Sequence, residues 1–253
     1  MDVLSALIDS LPEGRVLRVH MGLLWTAVVV EVDGVTRCGL AATLRSEDRA
    51  PDGEPDVRRA GMLASLPSAD LARLAHSAHP TEASIGLAAI NALLPPPLPP
   101  YDASPAEDFI ARGGAGQRVA LIGHFPFVAS LKTRVRDLWV LELHPHGDDL
   151  PADAAPRILP QADAVAITAT TLINRTFDGL LELCRPGAQV ILIGPSTPLS
   201  PVLFDYGVTA LCGAHVEDVN PILRGVSEGA NFKQLRPMGA RYVTWVKPGV
   251  RPF

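Results

Sequence analysis

The sequence predicts an α/β protein: a Rossmann-like, doubly wound sheet preceded by a smaller α+β unit. Three observations predict it. From Gln117 onward, short apolar runs alternate with helical patterns, as in a parallel sheet covered on both faces. Before that alternation come three strand-like stretches and then helices, an order that makes an α+β unit. Between the two lies Pro95-Pro-Pro-Leu-Pro-Pro100, a run that favours an extended, semi-rigid spacer. The expected division is residues 1–96 and 97–253. A surface strap within one domain is the other reading of the proline run.

Composition narrows the function classes. At 253 residues, 47% apolar and 19% charged, the chain is that of a soluble globular protein. A net charge of −5 and a pI near 5.8 argue against nucleic acid or an anionic membrane as partner, because both reward a basic surface. No apolar run approaches the roughly 20 residues that cross a bilayer, so no membrane insertion is expected. The first residues lack a basic segment and read as a helix, not a signal peptide. Cys38, Cys184 and Cys212 are scattered and odd in number, the pattern of reduced thiols in a cytoplasmic protein. The sequence leaves a homo-oligomer open.

In the first segment, Val3, Leu4, Leu7 and Ile8 have helical spacing within Asp2–Ser10, which ends at Pro12 and Gly14. Strands are expected over Val16–His20, Leu23–Val32 and Val35–Leu44, with Asp33-Gly34 as a type I′ hairpin turn. Residues 45–60 are charged and turn-rich, hence an exposed loop. Ser68 is the expected cap of a short helix carrying Leu71 and Leu74. Thr81, after Pro80, is the expected cap of a helix to Leu94. Ile85, Ala88, Ala89, Ala92 and Leu93 give that helix one apolar stripe for the sheet, and Gly86 permits close approach.

In the second segment Ser104 is the expected cap of a helix through Arg112, stopped by Gly113-Gly114. Strands then follow at Val119–Ile122, Leu138–Leu143, Ala164–Thr168, Val190–Ile193 and Val208–Leu211. Helices are expected near Val128–Arg134, Leu172–Leu183, Pro201–Tyr206 and Val216–Glu228. Arg241–Val246 alternates and reads as a last, antiparallel edge strand.

Strand Val119–Ile122 stops at Gly123, and ligands of open α/β sheets bind beyond the carboxyl ends of the strands. Gly123 to Glu142 has the spacing between the first glycine and the ribose-binding acid of dinucleotide folds. The fingerprint G-x-G-x-x-G is absent, Pro126 removes an amide, and Phe125 and Phe127 fill the place of a pyrophosphate. That argues against ordinary NAD and toward an adenosyl or other planar group stacked on the phenylalanines. Phenylalanines in the core and Glu142 at a solvated strand end are the plainer alternative. After the next strand, Thr168, Thr170, Thr171 and Asn174 offer hydroxyls and helix amides to a cleft, or only cap a helix. Gly194, Ser196 and Thr197 stand in the corresponding place after the following strand. His124 reads as an acid/base, a ligand or a turn residue. His144-Pro-His146-Gly-Asp148-Asp149 holds metal-ligand types and also reads as a surface loop. His20, His76, His79 and His215 read as structural. No nucleophile elbow, zinc-protease helix, Walker loop or catalytic-cysteine signature occurs.

Gly123-His-Phe-Pro-Phe127, Thr168-Ala-Thr-Thr-Leu-Ile-Asn174-Arg-Thr176 and Gly194-Pro-Ser-Thr-Pro198 together resemble the heavy-metal chelation domain family, a domain of unknown function. Thr81-Glu-Ala-Ser-Ile-Gly-Leu-Ala-Ala-Ile-Asn91 resembles the amino-terminal domain found with it. The resemblance implies an enolase-amino-terminal-like domain joined to a Rossmann-like one, with a cleft between them that handles a metal or metal-bearing compound. No thiolate cluster accompanies it here, which speaks against a soft metal held by cysteines alone.

Three function readings follow. In the first, the protein binds a metal ion or metal–organic chelate in a cleft lined by His124, Glu142, Thr170, Asn174 and Ser196, with Glu82 and Asn91 facing it. His124 and Glu142 would ligate the metal; the cofactor is otherwise left open, with a metal ion one candidate. In the second, an enzyme acts on a small anionic or tetrapyrrole-like substrate, with an adenosyl cofactor against Glu142 and His124 as general acid or base. In the third, the chain is a partner module of a metal transport or cofactor biosynthesis complex.

Overall fold

The computed structural model describes residues 2–46, 55–96 and 101–250. Residues 47–54 of the expected loop and 97–100 of the proline run lie outside these. The first unit comprises α1 (Val3–Asp9), β1 (Arg15–Met21), β2 (Trp25–Val32), β3 (Val35–Ala42), α2 (Ser68–Arg73) and α3 (Pro80–Leu93). Its strands form an antiparallel sheet in the order β1-β2-β3. Val32 faces Val35 across the hairpin, and Asp33 and Gly34 have φ of 52° and 75°, the two left-handed residues a type I′ turn needs.

The run Val28–Val32 does not alternate because both faces of β2 are covered. Val28, Val30 and Val32 join a core cluster with α3, while Ala27 and Val29 pack with Ile222, Leu223 and Val226 from the second unit. α3 has more than one apolar stripe: every residue from Thr81 to Leu93 except Asn91 is buried. A helix apolar all round belongs in the interior, and α3 contacts β2, β3, α2 and the Leu74–His76 turn. A Cβ on Gly39 would lie 2.2 Å from the Ala92 nitrogen, and one on Gly86 1.9 Å from the Ala75 nitrogen. Glycine at both is what lets α3 seat.

The helix starts differ from expectation by one or two residues. Pro67 and Pro105 take the cap positions of α2 and α4, Pro80 is the first residue of α3 after His79, and none of the three helices has a side-chain cap. Proline at a helix start gives up an amide that would have no intrahelical partner. Ser68 Oγ instead accepts the Gly14 amide (3.2 Å), and Thr81 Oγ1 donates to the Leu44 carbonyl (3.2 Å).

The second unit runs α4 (Ala106–Gly114), β4 (Arg118–Ile122), α5 (Val128–Lys132), β5 (Asp137–Glu142), β6 (Leu150–Pro151), α6 (Ala155–Ile158) and β7 (Ala164–Thr168). It continues with α7 (Thr170–Ile173), α8 (Phe177–Leu183), β8 (Gln189–Ile193), α9 (Val202–Asp205), β9 (Ala210–Val216), α10 (Val219–Ser227), α11 (Phe232–Leu235) and β10 (Ala240–Val246). The strands order as β10-β9-β8-β7-β4-β5-β6, parallel except for β10, which runs antiparallel to β9. Counted within this unit, the third, second, first, fourth, fifth and sixth strands lie side by side, the order of a doubly wound sheet.

Along β4, Val119 and Leu121 face one core cluster and Ala120 and Ile122 another. The second cluster also contains Val3, Leu7 and the α3 side chains. One continuous core therefore joins the two units.

The expected helix over 172–183 is two helices. Asn174 Oδ1 accepts the Thr176 amide (3.2 Å) and hydroxyl (2.7 Å), and Arg175 between them has φ 61°. A short amide side chain that bonds nearby backbone competes with the helix. The strand expected at 208–211 extends through Val216, and β6 had no strand signal at two residues.

Opposite the carboxyl edge, Asp163 fastens the sheet. Its oxygens take the Arg118 amide (2.9 Å), Arg118 Nε (3.1 Å) and Nη2 (2.9 Å), and Arg185 Nη2 (2.9 Å). The Arg118 bonds hold the Asp163 carboxyl far below the usual carboxylate range. A depressed carboxyl stabilises the fold above its unfolded pKa of about 4 and loses that contribution as the pH falls toward the folded value. Urea denaturation should show the deficit of Asp163→Asn at full size near neutral pH and shrinking below about pH 4. A deficit independent of pH would contradict this. Gly39→Ala should cost about 1–3 kcal/mol or more by overpacking, whereas Gly179→Ala, in α8 with open space around it, should be neutral or stabilising by up to about 1 kcal/mol.

Candidate functional site

The candidate site lies beyond the carboxyl ends of β4, β5 and β7. Gly123 ends β4 with φ 102°, and its amide donates to the Leu141 carbonyl (2.8 Å). A Cβ there would meet Thr168 Cγ2 at 3.1 Å, so glycine lets the turn pass close over β7. Glu142 then pegs the turn from the end of β5: Oε2 accepts the His124 amide (2.7 Å) and Oε1 the Leu143 amide (2.9 Å). The acid stands where the sequence places it, with each oxygen accepting one backbone amide.

His124 projects from this turn, its side chain 45% exposed. Its Nδ1 lies 2.8 and 3.0 Å from the two oxygens of Asp149, whose side chain is 4% exposed and also accepts the His146 amide (3.1 Å). Nε2 has no hydrogen bond among the described residues. Nothing in the sequence pairs Asp149 with His124. They are 25 residues apart, and only the β5–β6 connection brings the loop before β6 beside the loop after β4.

These loops border a cavity of 330 Å³. Gly123, His124 and Phe125 line one side; Glu142 and Leu143 another; Thr168, Thr170, Thr171, Asn174 and Thr176 the third, with Ala152, Ala155 and Leu180 at the apolar end. All of these belong to the second unit. Phe125 stacks on Phe127 with centroids 5.1 Å apart and planes 15° apart, so Phe127 backs the ring that borders the cavity. Neither Thr170 nor Thr171 caps α7; Ala169 occupies that position. Thr168 and Thr170 pair their hydroxyls at 3.0 Å, and Thr171 Oγ1 donates to the Thr168 carbonyl (2.6 Å). Thr176 is a lining residue the sequence analysis missed; the Asn174-Arg-Thr turn was its signal.

The other candidates lie elsewhere. Ser196 and Thr197 are buried where the units meet. Ser196 Oγ accepts the Ala42 amide (2.8 Å), Asn91 Nδ2 donates to the carbonyls of Leu40 (2.8 Å) and Ser196 (3.0 Å), and Thr197 Oγ1 donates to the Cys212 carbonyl (3.2 Å). Gly194, at φ 110°, makes the turn into this clamp. Glu82 borders a separate cavity in the first unit.

A cage for a bare metal ion does not fit these residues. Among the described residues no three His, Cys, Asp or Glu side chains are grouped to hold one. Burial pushes the thiols of Cys38 and Cys212 up to about 12 and that of Cys184 to about 11, and none of the three borders the 330 Å³ cavity.

The fold and the site define a class: a doubly wound α/β unit with a pocket of threonine hydroxyls and apolar side chains where its strand order reverses, fused to a small α+β unit. A sequence profile with the description "Putative heavy-metal chelation" (DUF364) matches residues 107–244, and a second with the same description (DUF4213) matches residues 4–94. The chain belongs to the DUF364 family. An uncharacterized protein of Methanocaldococcus jannaschii is 28% identical over 232 residues, 87% of this chain and 86% of that protein. A crystal structure of a DUF364-family protein of unknown function from Desulfitobacterium hafniense is 31% identical, with a TM-score of 0.79 over 97% of this chain and 98% of its own. Another, from Pyrococcus horikoshii, shares the fold at 22% identity, with a TM-score of 0.80 over 97% and 100%.

Glu142→Ala should release the turn at His124. The expected outcome is about 1 kcal/mol of lost stability and faster amide hydrogen exchange at His124 and Leu143, with exchange in β8 unchanged at equal stability.

Proposed function

We propose that the protein binds a small metal–organic chelate as cargo in the 330 Å³ pocket, with the metal meeting Nε2 of His124. The observation that carries this reading is the buried Asp149 carboxylate 2.8 Å from Nδ1. A metal-ligating histidine characteristically gives its other ring nitrogen to a carboxylate, which fixes the tautomer and ring orientation. One imidazole cannot enclose an ion, so the organic part supplies the remaining ligands. The Thr168 and Thr170 hydroxyls and the face of Phe125 are the groups placed to hold that part. The volume is at the lower end for small-molecule pockets and suits a compact chelate better than a whole tetrapyrrole. The family description supports the metal reading without naming a ligand. In the division we propose, residues 97–253 carry the pocket and residues 1–96 brace it.

Untagged protein titrated calorimetrically with nickel citrate, nickel alone and citrate alone tests this. The complex should bind more tightly than either component. His124→Ala should abolish the advantage, and Asp149→Asn should weaken binding about tenfold or more. Equal binding of nickel alone to wild type and His124→Ala, with no gain from citrate, would sink the proposal.

A second reading rests on the pocket's place at the reversal of strand order, with Glu142 ending the second strand of the unit, where dinucleotide folds hold a ribose. An adenosyl cofactor would then occupy the pocket. A thermal shift with adenosylmethionine that Glu142→Ala removes would favour this reading over the chelate.

A further inference from the structure

A second cavity, of 440 Å³, opens in the first unit, far in character from the hydroxyl-lined pocket. Arg58, Arg59, Arg73 and His76 border it over an apolar floor of Leu63, Leu66 and Leu74. In a chain of net charge −5, three arginines around one cavity are a local concentration of positive charge, offset in part by Asp70 and Glu82 on the same wall. Both acids of the wall have protein partners. Asp70 lies 2.6 Å from Arg73 Nη1. Glu82, 3% exposed, accepts the Ser77 hydroxyl (2.6 Å) and the Arg58 amide (2.9 Å), with Arg58 Nη2 at 3.4 Å. Burial pushes the Glu82 carboxyl up, but those three donors outweigh it and hold it below its ordinary value. It therefore stays ionised and ties the arginine-bearing turn to the start of α3. Arg59 has no ion-pair partner among the described residues.

One side of the wall is closely packed. α3 passes the Leu74–His76 turn at Gly86, where a Cβ would lie 1.9 Å from the Ala75 nitrogen. Arg73 and His76 thus stand on a segment braced by α3. Guanidinium forks match the oxygens of phosphate and carboxylate. Arg59 keeps its charge unpaired among the described residues, and Arg73 holds Asp70 only through a pair exposed on both sides, which contributes little. A doubly charged anion therefore competes for Arg73 better than a singly charged one, and the leucine floor favours an organic body attached to it. The size is that of a small-molecule site.

We infer that this cavity is a second ligand site, independent of the His124 pocket, that takes a small phosphomonoester: the phosphate meets Arg59 and Arg73, and the apolar body lies over Leu63, Leu66 and Leu74.

Phenyl phosphate and inorganic phosphate serve as probes, by calorimetric titration of the full chain at low ionic strength. Phenyl phosphate should bind saturably and more tightly than inorganic phosphate. The double variant Arg59→Gln/Arg73→Gln should weaken it about tenfold or more, while His124→Ala leaves it unchanged. Both arginines are exposed, so thermal melting should find the double variant folded. Absence of saturable binding, binding indifferent to the double variant, or loss in His124→Ala would each overturn the site. Inorganic phosphate binding as tightly as phenyl phosphate would overturn the assignment to a phosphomonoester.

Discussion

The reversal of strand order beside β4 is the constraint from which the site follows. β4 lies between β5 and β7, and the chain leaves their carboxyl ends in opposite directions. Crossover segments that diverge cannot cover the edge between them, so a gap opens there whatever side chains surround it. Gly123 keeps the turn after β4 low over β7, and Glu142 ties the same turn to β5. The cavity is a result of topology; its chemistry comes from the turns that border it.

Along the sheet, half-buried carboxylates act as fasteners. Glu142 takes the amides of two successive loops, Asp149 joins the loop before β6 to His124, and Asp163 gathers two arginines at the opposite edge. Each carboxylate is compensated by donors on neighbouring segments, the condition under which a shielded charge is tolerable. The arrangement separates roles along the sheet. The amino edge is held by ion pairs remote from the pocket, while the carboxyl edge is held by hydrogen bonds that leave His124 Nε2 and a threonine face available.

Much of the fold was legible in the sequence because its signals are local. Asp33-Gly34 specified the hairpin, and the apolar runs located β4, β5, β7 and β8 within a residue or two. The pocket was legible through the loops that follow β4, β5 and β7, since parallel strands bring their carboxyl ends to one edge. What escaped depends on contacts between distant segments. Asp149 meets His124 only through a connection with no spacing rule. The Gly194 loop stands at the same edge as Gly123, yet β8 is one strand further along, where the first unit packs against the sheet and Ser196 is drawn into the clamp with Asn91. The broken helix after Thr170 was hidden because Asn174 is tolerated in helices as well as in turns. The start of α3 was offset because Pro80 suits the first helical position, which moves the cap back to His79 and takes Thr81 into the helix.

The clamp made by Asn91 and Ser196 bears on how a ligand can be admitted. Two-body proteins often enclose their ligands by swinging one body over the other about a hinge. Here the bodies share a core and exchange hydrogen bonds between α3, β3 and the loop after β8. Swinging would expose apolar surface and strand those donors at once. Admission is left to the small loops at His124 and Asn174, whose displacement disturbs little of the interior. On the binding role proposed above, such a protein would meet its guest with a shape already set, and selectivity would come from fit at the mouth instead of from closure around what has entered.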